Sequence, residues 1–379
     1  MPKKILIIGP AHPLRGGLAS YNERLAREFQ REGHTCELYT FSLQYPNFLF
    51  PGTTQYSSEP APDNLRIHVK LNSINPLNWW RCGRHIRQIN PDIVVVRYWL
   101  PFMGPCLGTV LRLIKKNKHT KVICIADNII PHEKRPGDDL FTRYFVKPID
   151  GFITMSQKVL NDLKPLSAQP ARFINHPLYD NFGNALPKNE ALQHLQLNPD
   201  RRWMLFFGFI RPYKGLNLLL EAMHLLKQSQ WLDDHKVNLL VAGEFYDDSA
   251  PYLDLIKRYQ LEPYIALHTD FIPDSRVRYY FSAVDRVIQP YLHATQSGVT
   301  PLAYHFNVPM LVTRVGALAD LVPPSIGEVA EPNAESIAEH IKKLFQRDTK
   351  SMQDAIEQEK GAYAWSNITS AILSLAKNA

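Results

Sequence analysis

Cysteine is scarce: Cys36, Cys82, Cys106 and Cys124 are the four in a chain of 379 residues. They are widely scattered, form no CxxC pair and have no histidine at metal-ligand spacing. That excludes a disulfide framework and a zinc module, and implies reduced core cysteines in the cytosol. Long apolar runs are missing too. No stretch reaches the ~18 residues of a membrane-spanning helix. The start, MPKKILIIGP, has too short an apolar run for a signal peptide and reads as a buried first strand. The dinucleotide fingerprint G-x-G-x-x-G is absent from GPAHPLRGGLASY, where it would fall, so a nicotinamide-dependent dehydrogenase loses its best support. Acidic residues run short in one half only: residues 1–182 hold 24 Lys and Arg against 14 Asp and Glu, the remainder 19 against 22. The basic half suits an anionic partner, whether a phosphorylated substrate, a membrane surface in peripheral contact or nucleic acid. Nucleic acid is set aside, because no binding motif or aromatic–basic alternation accompanies the charge. A solvated basic face without a role is the bland alternative.

What is present is a steady alternation of strands and helices. KKILIIG reads as a strand and GLASYNERLAREFQREG as a helix, with Leu18, Tyr21, Leu25 and Phe29 on one face and a stop at Gly33. PDIVVVRYW is a β-branched run of the kind buried on both sheet faces, and GPCLGTVLRLIKKNK, KVICIAD and GFITMS continue the rhythm. Residues 176–200 interrupt it with Pro, Asn and Gly. It restarts at RWMLFFGFI and continues through VNLLVAGE, YIALHTDFI, DRVIQPY and PMLVTRV. The expected fold is α/β, with two doubly wound Rossmann-like domains over 1–182 and 183–360 and the helix 361–379 packing back on the first. A cleft between the domains is the default site.

Three segments can carry chemistry. Gly16 and Gly17 open the first helix and let backbone amides approach an anion there, unless they simply make a turn. Arg211 and Lys214, in FGFIRPYKGLNLLLEA, follow a strand and can flank a diphosphate, Arg as a fork and Lys as a point charge. HATQSGVTPLAYHFNVP contains no Lys, Arg, Asp or Glu, yet Ser297, Gly298 and Val299 lead into a helix whose free N–H groups can hold a phosphate. Thr300 adds a hydroxyl and Pro301 fits the first helical turn.

In combination, FGFIRPYKGLNLLLEA, QPYLHATQSGVTPLAYHFNVPMLVTRVGALADLV, GEVAEPNAESIAEHI, RGGLASYNERLAREF and TMSQKV resemble the family 4 glycosyltransferases, retaining enzymes of the GT-B fold. The resemblance covers nearly the whole chain. It implies a nucleotide-diphosphate-sugar donor on the second domain and a glycan, lipid-linked or small-molecule hydroxyl acceptor on the first, with no metal and no cofactor. It places Arg211 and Lys214 on the diphosphate, the Ser297 and Gly298 amides on its phosphates, and Gly16 and Gly17 on its other side. Phe271 and Ile272 would hold the base through backbone groups. Two departures stand out. Phe209 occupies the position where the family has Arg, and the two glutamates that flank the family's phosphate loop are missing, near Thr295 and near Leu302 or Ala303. Gln296 or Thr295 is left as a neutral replacement for the first.

The family's N-domain histidine has no direct counterpart. His132 is the candidate sugar-site residue instead, and Asp127 the candidate base for the acceptor hydroxyl, against the reading that both belong to a turn. Glu244, at the end of VNLLVAGE, is a further carboxylate on the donor side; His12, His176 and His293 read as loop histidines. FSLQYPNFLFPG is either an exposed apolar patch for a lipid-linked or aromatic acceptor or a loop packed on the sheet. The alternatives to transfer are a sugar-nucleotide epimerase and a non-catalytic sugar-nucleotide-binding protein of the same fold, the latter favoured by the missing glutamates.

Overall fold

The computed structural model describes residues 1–46, 54–130, 135–294 and 297–378. The chain divides into two compact units, Met1–Pro177 with Ala364–Ala379, and Leu178–Tyr363. The boundary thus falls earlier than 182, because Tyr179 packs its ring on Phe182 and lies within reach of Gly298, inside the second unit.

The first unit is built on seven parallel strands: β1 Lys4–Ile8, β2 Thr35–Leu43, β3 Arg66–Asn72, β4 Ile93–Tyr98, β5 Lys121–Ala126, β6 Gly151–Thr154 and β7 Ala171–Phe173, in the order β3-β2-β1-β4-β5-β6-β7. The second has six: β8 Arg202–Phe207, β9 Val237–Ala242, β10 Ile265–His268, β11 Arg286–Gln289, β12 Met310–Thr313 and β13 Gly327–Ala330, ordered β10-β9-β8-β11-β12-β13 and again all parallel. Parallel strands covered by helices on both faces are apolar on both, which is why β4 and β9 are buried at every position. Both sheets are doubly wound. The order reverses between β1 and β4 and between β8 and β11, and a crevice opens at the carboxyl ends of strands where the order reverses.

Each unit has its own core. Ile8, Val96, Cys124, Phe145 and Phe152 fill the first, with Cys82 and Cys106 buried among them; Phe206, Leu219, Val241, Ile288 and Ile337 fill the second. The helix Trp365–Asn378 completes the first unit. Trp365 packs on Tyr21 at 4.8 Å between ring centroids, and the Leu375 side chain lies against Gly151. Tyr45, at the described end of the FSLQYPNFLFPG segment, is half-buried and Phe41 fully buried, so this part packs on the sheet; Asn47–Thr53 lie outside the described residues. Among the described residues no helix is long and apolar enough to cross a membrane.

Gly215 closes the turn after β8 in the left-handed region, at φ 69°, and a Cβ there would stand 1.9 Å from the Pro290 carbonyl oxygen. Gly215→Ala is therefore expected to cost at least about 2 kcal/mol, through both strain and the clash, and to separate the turn after β8 from the segment after β11. The denaturant midpoint of the purified variant measures it; an unchanged midpoint contradicts the close approach.

Candidate active site

The second unit gathers most of the candidate residues at the carboxyl ends of β8, β9, β10 and β11. Gly208, at φ 93°, turns the chain out of β8 toward the short 3-10 helix Pro212–Lys214. Gly243, at φ 138°, does the same after β9, and a Cβ there would meet the Gly208 carbonyl oxygen at 2.3 Å. The two strand ends are thus pressed together, and the Ile210 N–H donates to the Glu244 carbonyl at 2.8 Å. Glu244 itself is buried beside this turn.

Lys214 is folded inward. It is 8% exposed, and a Cβ placed on Gly208 would lie 3.0 Å from its Nζ and 3.9 Å from Val299 Cγ2, so the amine sits at the β8/β11 reversal beside the first residue of the following helix. No carboxylate pairs with Lys214 or with half-buried Arg211 among the described residues. Their contacts are aromatic: Lys214 Nζ is 5.6 Å from the Tyr291 ring centroid, and the Arg211 guanidinium 4.8 Å from that of Tyr246. Burial first, and the Arg211 charge second, push the Lys214 amine down to about 7. An ammonium removed from water with no counter-charge behaves in this way.

The segment after β11 forms the other wall. Two backbone N–H groups, from Leu292 at 2.7 Å and His293 at 3.4 Å, donate to the Tyr213 carbonyl and tie this segment to the Arg211–Lys214 turn. Ser297 and Thr300 are organised by Gln289, the last residue of β11. The Ser297 hydroxyl donates to its Oε1 at 2.8 Å and accepts the Val299 N–H at 3.2 Å, and the Thr300 hydroxyl lies 3.1 Å from its Nε2. Thr300 is fully buried in this network, which corrects the expectation that its hydroxyl is offered to a ligand. The helix that follows, Val299–His305, has only seven residues, so its dipole is modest and the amides themselves matter more. No acceptor among the described residues takes the Gly298 N–H. Leu302 and Ala303, where the second family glutamate would fall, are buried in the core.

Phe271 and Ile272 follow β10 and, with His268, Thr269, Arg276 and Tyr280, line a pocket of about 290 Å³. Burial lowers the His268 pKa, Arg276 adding to it. Gln296 and Thr295 lie outside the described residues.

In the first unit, Gly16 caps the helix Gly17–Arg31 at φ 100°, a conformation that favours glycine, and no atom stands within 4 Å of where its Cβ would be. Asp127 follows β5. Its two carboxylate oxygens accept from Arg97 Nε and Nη2, both at 2.6 Å, with Arg97 2% and Asp127 4% exposed. The expected base is therefore the buried half of a bidentate ion pair, a group that holds structure rather than one presented to a hydroxyl. Sequence reasoning missed Arg97, although an arginine interrupting the buried run IVVVRY needs a partner. It missed the rest of the cluster as well: Tyr21 beneath the Arg97 guanidinium at 3.9 Å, and His176 edge-on to Tyr21. His176 does lie in a loop, but a buried one, and burial pushes it down to about 4, so it is neutral. His132 lies outside the described residues. The His12 ring contacts the Glu59 carbonyl at 3.2 Å.

Two doubly wound parallel units, with an anion-ready turn at the order reversal of the second, define a GT-B architecture. Two family models match it: "Glycosyl transferases group 1" over residues 187–361 and "Glycosyltransferase Family 4" over residues 15–177. The chain belongs to the family 4-type glycosyltransferases of the GT-B fold. Its fold is similar to that of a glycosyltransferase from Rickettsia africae (18% identity, TM-score 0.74, all of both chains). It is also similar to sucrose-phosphate synthase from Thermosynechococcus elongatus (15%, 0.72, 99% of both chains). A third likeness is to Anabaena HepE solved with UDP (13%, 0.70, 99% of this chain and 100% of that one). No curated protein sequence matches the chain.

Two outcomes follow from these buried charges. Lys214 has a folded pKa of about 7 against an ordinary 10.5, so between those values the unfolded chain binds more protons and stability rises with pH. Lys214→Met removes the cost of the buried charge, which is full below pH 7. The variant is expected to melt higher by about 5 °C in that range, the gain fading toward pH 10; equal melting at all pH values contradicts the burial. Asp127→Asn leaves Arg97 buried without its counter-charge and is expected to lose about 3–5 kcal/mol in urea unfolding.

Proposed function

We propose that the protein transfers a sugar from a nucleotide-diphosphate-sugar donor to a hydroxyl acceptor with retention of configuration, the donor bound by the second unit and the acceptor by the first. The observation that carries this reading is the cation pair Arg211 and buried Lys214, without a carboxylate partner among the described residues, at the carboxyl end of β8 beside Val299. A diphosphate supplies the missing anion. It restores the charge on Lys214 and accepts from the Ser297, Gly298 and Val299 region, where no carboxylate pairs with either cation among the described residues. The pocket at Phe271 and Ile272 is of a size and polarity to take the base through backbone groups; Glu244, and Gln296 outside the described residues, are assigned to the sugar.

In the reaction the glycosidic bond to the diphosphate lengthens and negative charge grows on the leaving oxygen. Arg211 and Lys214 stabilise that developing charge more strongly than they stabilise the ground state, which lowers the barrier. The leaving phosphate oxygen then takes the proton of the attacking hydroxyl on the same face of the sugar. With Asp127 committed to Arg97, this assignment needs no separate carboxylate base, and in this reading the two cations take the charge-neutralising part. Gly16 and Gly17 are assigned to the diphosphate from the first unit, and His132 to the sugar.

A non-catalytic sugar-nucleotide-binding protein is the second reading, favoured by the apolar Leu302 and Ala303 in place of a ribose-binding glutamate. Turnover separates the two: donor consumption with a product of retained anomeric configuration supports transfer, and tight donor binding without consumption across glycan, lipid-linked and small-molecule acceptors overturns it. Lys214→Ala is expected to lower turnover about a hundredfold, as for loss of one charge-stabilising group. Because diphosphate binding raises the Lys214 pKa from about 7, it takes up a proton. Nucleoside diphosphate affinity should therefore fall above pH 7, by at most about tenfold per pH unit, and calorimetry of Lys214→Met should show a flat profile.

A further inference from the structure

Residues 64–91 contain no Asp or Glu. They hold the edge strand β3, which among the described residues pairs only with β2, and the helix Pro76–Ile89. That helix buries Cys82, Gly83 and Ile86, with Gly83 close against Leu113, and turns the opposite face to solvent. On the exposed face Leu77, Trp80, Arg81, Arg84 and Arg87 recur at helical spacing. Leu77 is 71% exposed, Trp80 48%, and Ile74 in the turn before the helix 50%. The Arg84 guanidinium lies 4.6 Å from the Trp80 ring centroid. Lys70 stands alongside, its carbonyl accepting from Asn78 Nδ2 at 2.9 Å. None of Lys70, Arg81, Arg84 and Arg87 is in an ion pair among the described residues, whereas Arg66 is paired with Glu37.

We propose that this face docks the protein on an anionic lipid bilayer, with Ile74, Leu77 and Trp80 entering the headgroup region and Arg81, Arg84 and Arg87 on the lipid phosphates. An apolar end carrying tryptophan, followed by arginines with long apolar stems, is the distribution that suits a helix lying in a membrane interface. The other occupants fit less well. A second copy in a two-fold contact sets arginine against arginine with no carboxylate to pair. A nucleic acid backbone uses the arginines but offers nothing to Ile74 and Leu77. Because this helix follows β3, its apolar end lies toward the carboxyl edge of the first sheet, where ligands of such sheets sit. The inference does not depend on the donor assignment.

Sedimentation with phosphatidylcholine vesicles, with and without phosphatidylglycerol, tests it on the full chain. The wild type is expected to sediment only with the anionic vesicles, and to be released at high salt. Taking each arginine as worth a factor of about five at an anionic surface, R81S/R84S/R87S should bind about a hundredfold more weakly. L77S/W80S should bind more weakly while keeping its salt dependence, and it preserves the test if the arginine variant does not fold. Equal sedimentation with neutral vesicles overturns the proposal, as does unchanged binding by both variants. So does a dimer or a DNA complex that these substitutions abolish in a protein that ignores vesicles.

Discussion

Removing an ammonium group from water costs several kcal/mol unless an anion replaces the lost hydration. Lys214 is removed from water with no such anion among the described residues, and the fold around it enforces the arrangement. Gly208 turns the chain so that the amine comes back over the strand end, Gly243 clears the space beside it, and Gly215 lets the turn close against Pro290. An apolar residue at 214 would fit this frame better on stability grounds alone. A cation kept in such a place stores free energy that an incoming anion releases, which is how a binding site can be prepared before its ligand arrives.

The two sheets solve the same positional problem. Each reverses its strand order once, and each puts glycine just beyond a strand at that reversal: Gly9 after β1 and Gly208 after β8. They differ in what stands behind the glycine. In the first unit the charge at the reversal is neutralised internally by Arg97 and Asp127, clamped over Tyr21 and beside neutral His176. In the second it is left open. The contrast supports the assignment of the diphosphate to the second unit, since at that reversal Lys214 has no counter-charge among the described residues.

Much of this was legible in the sequence. The doubly wound class followed from the alternation of apolar runs and helical periodicity, and the site segments stood at strand ends because glycine and basic residues punctuate them there. The edge strand β3 was not legible, because RIHVKLN is only half apolar and lies in a Pro- and Asn-rich stretch. Gln289 escaped notice because one amide at the end of a buried strand looks like an ordinary strand terminus; only its position between Ser297 and Thr300 shows that it sets their hydroxyls. Asp127 looks like a reactive carboxylate in the sequence because nothing local marks Arg97, a distant residue in sequence, as its partner. Long-range charge pairing has no periodicity for a sequence to display.

The first unit is discontinuous in sequence, and the helix Trp365–Asn378 supplies Trp365, Ile368, Ile372 and Leu375 to its interior. During synthesis the residues up to Pro177 emerge first but lack this cover, so an apolar strip beside Gly151 and Tyr21 stays open while the entire second unit is made. The second unit can therefore finish while the first still waits for the helix that seals it. Until that helix docks, the first unit presents an apolar strip of the kind chaperones bind.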